Sequence, residues 1–326
     1  MITRLWGRWV DIWDRREHPL PMALVRILLG AVVFVDLLRM GILGLVNPLM
    51  APAEAGGWGV PLALDHVPWF WASVPPTSGM AVLQWALMLG AALCVLVGLA
   101  PRAAAVVFVL LSAQFAITLP AADRGIDTLI RNAMLLLACA RCGDTLSLGR
   151  RARTGRWTAP LDHQVPAWPR YLMLVQLTVL YFAAGVSKVA SSWTPFGGWT
   201  ALYIAMRDPH FQVLPDDVVD TLFPFTQALT GSSWIWEWMG PTLLLAYHFR
   251  ATRDRGGWLR ATFNRLDYRL VYLGIGALFH AGTHISFRLG IFPFAVMALY
   301  PAAFHADELH AAAAWVRRRV PVLRSP

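Results

Sequence analysis

The chain has 326 residues, of which 57% are hydrophobic and 14% charged, with a formal net charge of +9. A soluble domain carries about 25% charged residues, so this composition excludes a soluble enzyme and a disordered tail, and three cysteines are too few for a disulfide scaffold. The basic excess does not indicate nucleic acid either, because the arginines cluster between apolar runs as topology determinants do, with no basic stripe interleaved with aromatics.

In chain order, Leu5 to Arg16 reads as an amphipathic surface helix, with Trp6, Trp9 and Trp13 on one face. Pro19 and Pro21 then punctuate the chain. Apolar runs follow at Met22–Leu45, Gly79–Leu99, Ala103–Leu119, Ile126–Ala140, Tyr171–Val189, Trp234–Phe249, Leu270–Ile285 and Leu289–Phe304, several of them shorter than the roughly 20 residues of a straight crossing. The segment His305–His310, before Trp315 and the arginines, reads as a second surface helix. The expectation is an all-α fold: a polytopic membrane helix bundle of about eight transmembrane helices, with amphipathic surface helices at both ends. It divides into an N-terminal segment at 1–18, a transmembrane domain at 19–305 and a basic tail at 306–326. The first apolar run lacks a small-residue cleavage site and leads into further spans, so no secretory signal is expected.

Charge asymmetry sets the orientation. The Asn47–Ser78 loop has no Lys or Arg, whereas Arg141–Arg170 and Arg250–Arg269 each carry six arginines. Eight spans with both termini in the cytoplasm place 21 of the 28 basic residues inside, which predicts a multi-pass protein of the cytoplasmic (inner) membrane. The outer loops are aromatic instead, with Trp58, Trp69, Phe70, Trp71, Trp193, Trp199, Trp234, Trp236 and Trp238. They read either as an interfacial belt or as a lid over an outward-opening cavity.

Lysine usage is the most informative count. The chain uses arginine 27 times and lysine once, at Lys188. Arginine stays charged under ordinary conditions, whereas a desolvated lysine can lose its proton. Lys188 therefore reads either as a deprotonatable amine in a site or as a side chain snorkelling from a span end. The small residues before it, Ala183, Ala184, Gly185 and Ser187, let a helix or a flat ligand come close. Tyr181 can join Lys188 only through a bent helix or a ligand.

The pattern Gln-x-x-x-x-Tyr-Phe-x-Ala-Gly-x-x-Lys at Gln176–Lys188, followed by Trp193, resembles the vitamin K-dependent gamma-carboxylase family and its small bacterial relatives, the HTTM membrane proteins. Weaker matches follow the same order along the chain: Arg26–Gly30, Asp144–Leu148, Phe279-His280 and Phe287–Phe292. The resemblance implies a vitamin K hydroquinone or menaquinol as cofactor and no metal. It makes Lys188 the base on the quinol and His280 a pocket residue within hydrogen-bond reach, with Tyr181, Gly185 and Trp193 of the matching segment around the cofactor. His284, which has no counterpart in the family, is added as a cofactor-binding candidate by its place on the same helix face as His280. In the family, oxygenation of the quinol yields a strong base that removes a glutamate gamma-proton; CO2 then adds and the quinone leaves as epoxide. The implied function is quinol-dependent, carboxylase-like modification of a peptide or lipid at the bilayer, with a secreted peptide as client. The family's fourth-span histidine has no counterpart in Ile126–Asn132. The alternative is therefore a non-enzymatic membrane maturation factor or chaperone.

Other polar groups carry two readings each. Asp36 with Arg39, and Asp127 with Arg131, have the spacing of helix ion pairs, and Arg26 is a further partner for these acids. Glu237, between Trp236 and Trp238, reads as a helix-end residue or as a proton acceptor in the cavity. His280 and His284 have i,i+4 spacing that suits Zn2+, but no third ligand is evident. Cys139 and Cys142 form a bare C-x-x-C without the βαβ context of a redox motif.

Overall fold

Proline and glycine set the helix ends in this chain. The computed structural model describes residues 6, 7, 10, 11, 13–59 and 77–319. Trp9, Trp69, Phe70 and Trp71 of the expected interfacial aromatics lie outside the described residues. The described chain is all-α apart from one two-residue strand pair, Arg16–Glu17 against Val165–Pro166. The helices that matter below are α1 (Leu20–Ile42), α2 (Ser78–Val97), α3 (Pro101–Thr118), α4 (Gly125–Cys139), α5 (Trp168–Ser187), α6 (Ala201–Met206), α7 (Phe223–Trp238), α8 (Pro241–Ala251), α9 (Tyr268–Ser286) and α10 (Phe292–Met297). Among the described residues, α1, α2, α3 and α5 are long and apolar enough to cross a membrane.

Their outward faces show what surrounds them. Helix α1 buries Met22, Val25, Leu29, Val33 and Leu37 at helical spacing, yet its opposite side exposes Leu28, Val35 and Leu38. Helices α2 and α3 likewise expose Leu83, Leu87, Val106 and Leu110. A water-facing helix would be polar there, whereas hydrocarbon suits a helix that is apolar on all sides.

Two compact units make up the chain, residues 1–173 with 304–326, and residues 174–303. The first unit is built around a buried arginine. Arg26, fully buried on α1, donates from Nη1 to the carbonyls of Val95 and Leu96 at 2.7 and 2.8 Å. Its Nε donates to Cys142 and its Nη2 to Leu146. The last carbonyls of a helix lack intrahelical donors, so α1 supplies a side-chain cap for the end of α2. Gly98, with φ +74°, turns the chain there, and a Cβ at this position would overlap Ser147 and lie 2.8 Å from Nη1 of Arg26. Gly30 lets the α1 backbone pass close to Leu96, since a Cβ would lie 2.8 Å from its backbone. The two short patterns at Arg26–Gly30 and Asp144–Leu148 thus form one packing knot.

Several expected pairings are dealt differently. Arg26 pairs with neither Asp36 nor Asp127, because its donors are taken up by carbonyls. Asp36 and Asp127 both accept from Arg124, and Arg131 pairs with Asp123 at 2.7 Å. Arg124 precedes α4 and reaches both acids, while its own backbone N–H donates to Asp127 as a helix cap. In the same unit Arg170 is buried against Glu17 and donates to the Phe304 carbonyl at 2.9 Å.

Two expected spans are interrupted. The Trp234–Phe249 run is divided between α7 and α8, because Pro241 lacks a donor and opens a new helix after Gly240. The Leu289–Phe304 run consists of the six-residue α10 and a 3-10 turn at Tyr300–Ala303, with Pro293 and Pro301 at the two starts. A helix at Ala306–Arg319 ends the described chain, with Arg319 stacked 4.3 Å over the Trp315 ring. Trp6 is exposed, and Trp13 packs 6.3 Å from Trp168.

Candidate functional site

The second unit holds most of the residues singled out from the sequence. Helix α5 ends at Ser187, and Lys188 is the first residue beyond it. The chain then makes two 3-10 turns, Ser191–Trp193 and Pro195–Gly197, and turns again through Gly198 at φ +67°. Helix α7 holds this loop with a polar stripe. Gln227 donates to the Gly198 carbonyl at 2.6 Å, and the Thr230 hydroxyl accepts from Leu202 N–H at 3.2 Å.

Close backbone contact between α5 and the end of α7 follows from two glycines. A Cβ on Gly185 would lie 3.0 Å from the Trp238 nitrogen and 3.1 Å from Cβ of Glu237. A Cβ on Gly240 would lie 2.9 Å from the Thr178 carbonyl oxygen. Small residues let membrane helices approach in this way, and the approach brings Glu237 to Lys188. The Lys188 ammonium forms an ion pair and hydrogen bond with Oε2 of Glu237. The Glu237 side chain is only 4% exposed and that of Lys188 18%. The Trp193 ring also meets the ammonium, its centroid 4.4 Å from Nζ, a cation–π contact. Lys188, Gly185 and Trp193 therefore come together, with Glu237 as the added partner.

Tyr181 and His280 form a second centre. The Tyr181 hydroxyl lies 2.9 Å from Nε2 of His280 and 2.7 Å from the Tyr300 hydroxyl. Its ring packs 4.5 Å from that of Trp236, whose Nε1 donates to the Tyr272 carbonyl at 3.1 Å. Gly276 makes the room, because a Cβ there would overlap Tyr300 and lie 2.9 Å from the Trp236 ring. His280 is fully buried, and among the described residues neither its Nδ1 nor the Tyr272 hydroxyl has a hydrogen-bond partner. Buried polar atoms in native proteins are rarely left so.

His284 joins neither centre. It is exposed, with its ring 4.7 Å from Phe294. No group of three His, Cys, Asp or Glu suited to a metal occurs among the described residues. Cys139 and Cys142 are free thiols.

An uncharged cavity of about 370 Å³ lies between α6, α7 and α9, lined by residues including Met206, Leu229, Trp236, Phe279 and Thr283. Trp236 belongs both to this lining and to the Tyr181 cluster, whereas Lys188, Tyr181 and His280 are not part of the lining.

Tyr272 and Tyr300 went unnoticed in the sequence, because aromatics in apolar runs are common, and Trp236 was read only as one of the interfacial aromatics. Glu237 carried a clearer signal, as the only acid in the apolar stretch between Asp220 and Asp254.

A family model for the HTTM domain matches residues 15–307. No curated protein matches the chain, and no solved structure does.

Proposed function

Because the chain belongs to the HTTM domain family and is an integral, multi-pass membrane protein, we propose that its second unit carries a quinol-dependent, carboxylase-like site that modifies a peptide or lipid at the membrane. The proposed frame is about eight crossings in the cytoplasmic membrane with both termini inside, as the arginine distribution favours. Interrupted helices are compatible with that count where they are buried in protein.

The observation that supports this reading is the placement of the chain's only lysine, in an apolar setting between Glu237 and Trp193. Lys188 is the general base. Its side chain is largely withdrawn from water, and the Glu237 carboxylate lies within hydrogen-bond reach of the amine. His280 and Tyr181 bind and orient. The free Nδ1 of His280 is a hydrogen-bonding position that a quinol hydroxyl can satisfy, and the apolar cavity behind Trp236 suits an uncharged tail. A bound quinol supplies, on oxidation to its epoxide, the base strength needed to deprotonate carbon. Lys188 initiates that chemistry by removing a proton, and Trp193 and Trp236 limit water at the two centres.

A second reading has its own observation. The Lys188–Glu237 pair also fastens the 188–198 loop to α7, and Lys188 does not line the cavity. On that reading the pair is structural, and the protein is a non-enzymatic maturation factor for a secreted peptide.

The test uses purified protein in detergent with vitamin K hydroquinone or menaquinol, oxygen, bicarbonate and a glutamate-containing peptide. Quinone epoxide is followed by mass spectrometry for wild type and Lys188→Met. Epoxide from wild type alone supports the base. No epoxide from either protein, with no quinone binding by titration, overturns the enzymatic reading in favour of the maturation factor.

A further inference from the structure

We propose that Glu237 is the proton partner of Lys188, holding the amine as ammonium at rest and accepting its proton when the amine acts as a base. The first half of this statement stands on the pair itself, and the second rests on the reading of Lys188 as a base.

Charge conservation inside an apolar site is the physical reason. A lone charge withdrawn from water is costly, and removing one partner of a buried pair leaves that cost uncompensated. Transfer from Nζ to Oε2 avoids it. One N–H bond breaks, one O–H bond forms, and an ammonium–carboxylate pair becomes an amine–carboxylic acid pair. Net charge is unchanged, and no other reactant is required. The hydrogen bond already in place between the two atoms is the path.

Nothing else described around the pair performs this task. The titratable and charged groups on α5 and α9 are Arg170, Tyr171, Tyr181, Tyr268, Arg269, Tyr272, His280 and His284, with Tyr300 beyond α10. None of them is a carboxylate, and the Tyr181 hydroxyl is hydrogen-bonded to both His280 and Tyr300. On the short helix before α7, Asp216 and Asp220 pair with Arg207. Among the described residues, Lys188 and Glu237 each have one ion-pair partner, namely the other. Glu237 is therefore a positioning residue that acts through Lys188. Gly185 is the sequence feature that permits it, because a side chain there would press on Glu237 and Trp238.

Because the chain contains one lysine, its amine can be followed without an activity assay. The intact detergent-solubilised protein is acylated with an amine-reactive ester between about pH 7 and 11, and Lys188 is quantified by mass spectrometry against the chain's α-amino group. The high-pH plateau reports access to the amine, and the midpoint reports its charge. Glu237→Gln is expected to move the midpoint of Lys188 labelling down by about one pH unit or more, so that labelling below the midpoint is at least about tenfold faster. Its plateau stays that of wild type. Glu237→Asp, one methylene short, lies between the two. A Glu237→Gln midpoint equal to that of wild type overturns the proposal. Where the Gln variant does not fold, Glu237→Asp carries the test, and a midpoint equal to wild type overturns it in the same way. A shifted midpoint without epoxide formation by wild type leaves the pairing in place and removes the quinol reading alone.

Discussion

Tyr181 and His280 share a hydrogen bond of 2.9 Å across 99 residues of sequence, and both are almost wholly buried. Tyr300 continues the chain of donors at 2.7 Å. The two hydroxyls and one imidazole nitrogen satisfy one another, so loss of one member leaves others short. Tyr181→Phe is expected to cost about 1–3 kcal/mol, the penalty for stranding a buried polar group. It is read as a lower melting temperature in detergent, and an unchanged melt would show that the network contributes nothing to stability.

Lys188→Arg separates charge from basicity. Arginine keeps a positive charge at the Glu237 and Trp193 contacts but cannot be deprotonated in a protein. The variant is expected to melt within a few degrees of wild type and to form no quinone epoxide. Lys188→Met is expected to melt lower, because it strands the Glu237 carboxylate. Epoxide formation by the arginine variant would remove lysine's role as base.

Gly98 and Gly90 make a paired test of the first unit. Gly98 has φ +74°, and its missing side chain leaves room for Arg26 and Ser147, whereas Gly90 on α2 has open space around it. Gly98→Ala is therefore expected to destabilise the protein. Gly90→Ala is expected to raise stability by up to about 1 kcal/mol through helix propensity. Equal melting curves for the two variants would contradict this account of the α2 end.

At Arg26 the expected test is a conservative change that fails. Lysine carries three donors at one point, whereas the guanidinium fork reaches four carbonyls from α2 and the segment after α4. Arg26→Lys should lose at least about 1–3 kcal/mol for each carbonyl left without a donor. Full retention of the wild-type melting temperature would show that the charge alone suffices.

His18 gives a pH dependence. It lies before α1, and burial holds its imidazole below its ordinary value of 6.5. The His310 ring packs 5.2 Å away. A group with a lowered folded value binds its proton more readily when unfolded, so its contribution to stability is lost as the pH falls below 6.5. Melting temperatures taken downward through that range should fall for wild type and fall less for His18→Gln. Parallel curves would remove His18 as the cause.

Sequence alone determined the class of solvent. Apolar residues on all sides of α1, α2, α3 and α5 admit no soluble fold, and this is legible because hydrophobicity is a property of residues before they pack. The break at Pro241 also has a local cause, the missing N–H, although the unbroken hydropathy of Trp234–Phe249 reads as a single span. That Lys188 is the chain's single lysine was also legible, since it is a matter of counting. Only the tertiary structure decided the partners. Arg26 reads like a counter-ion for an acid and is in fact a cap on backbone carbonyls, because burial against the α2 end uses up its donors. Asp36 meets Arg124 from the start of α4 instead of Arg39 on its own helix, and Asp127 meets the same Arg124, its own helix cap, instead of Arg131. Glu237 meets Lys188 across 49 residues because Gly185 and Gly240 let two backbones touch. Spacing along a helix fixes which residues share its face, but it does not fix which face of another helix arrives there. That depends on close packing, and here it turned on the absence of two side chains.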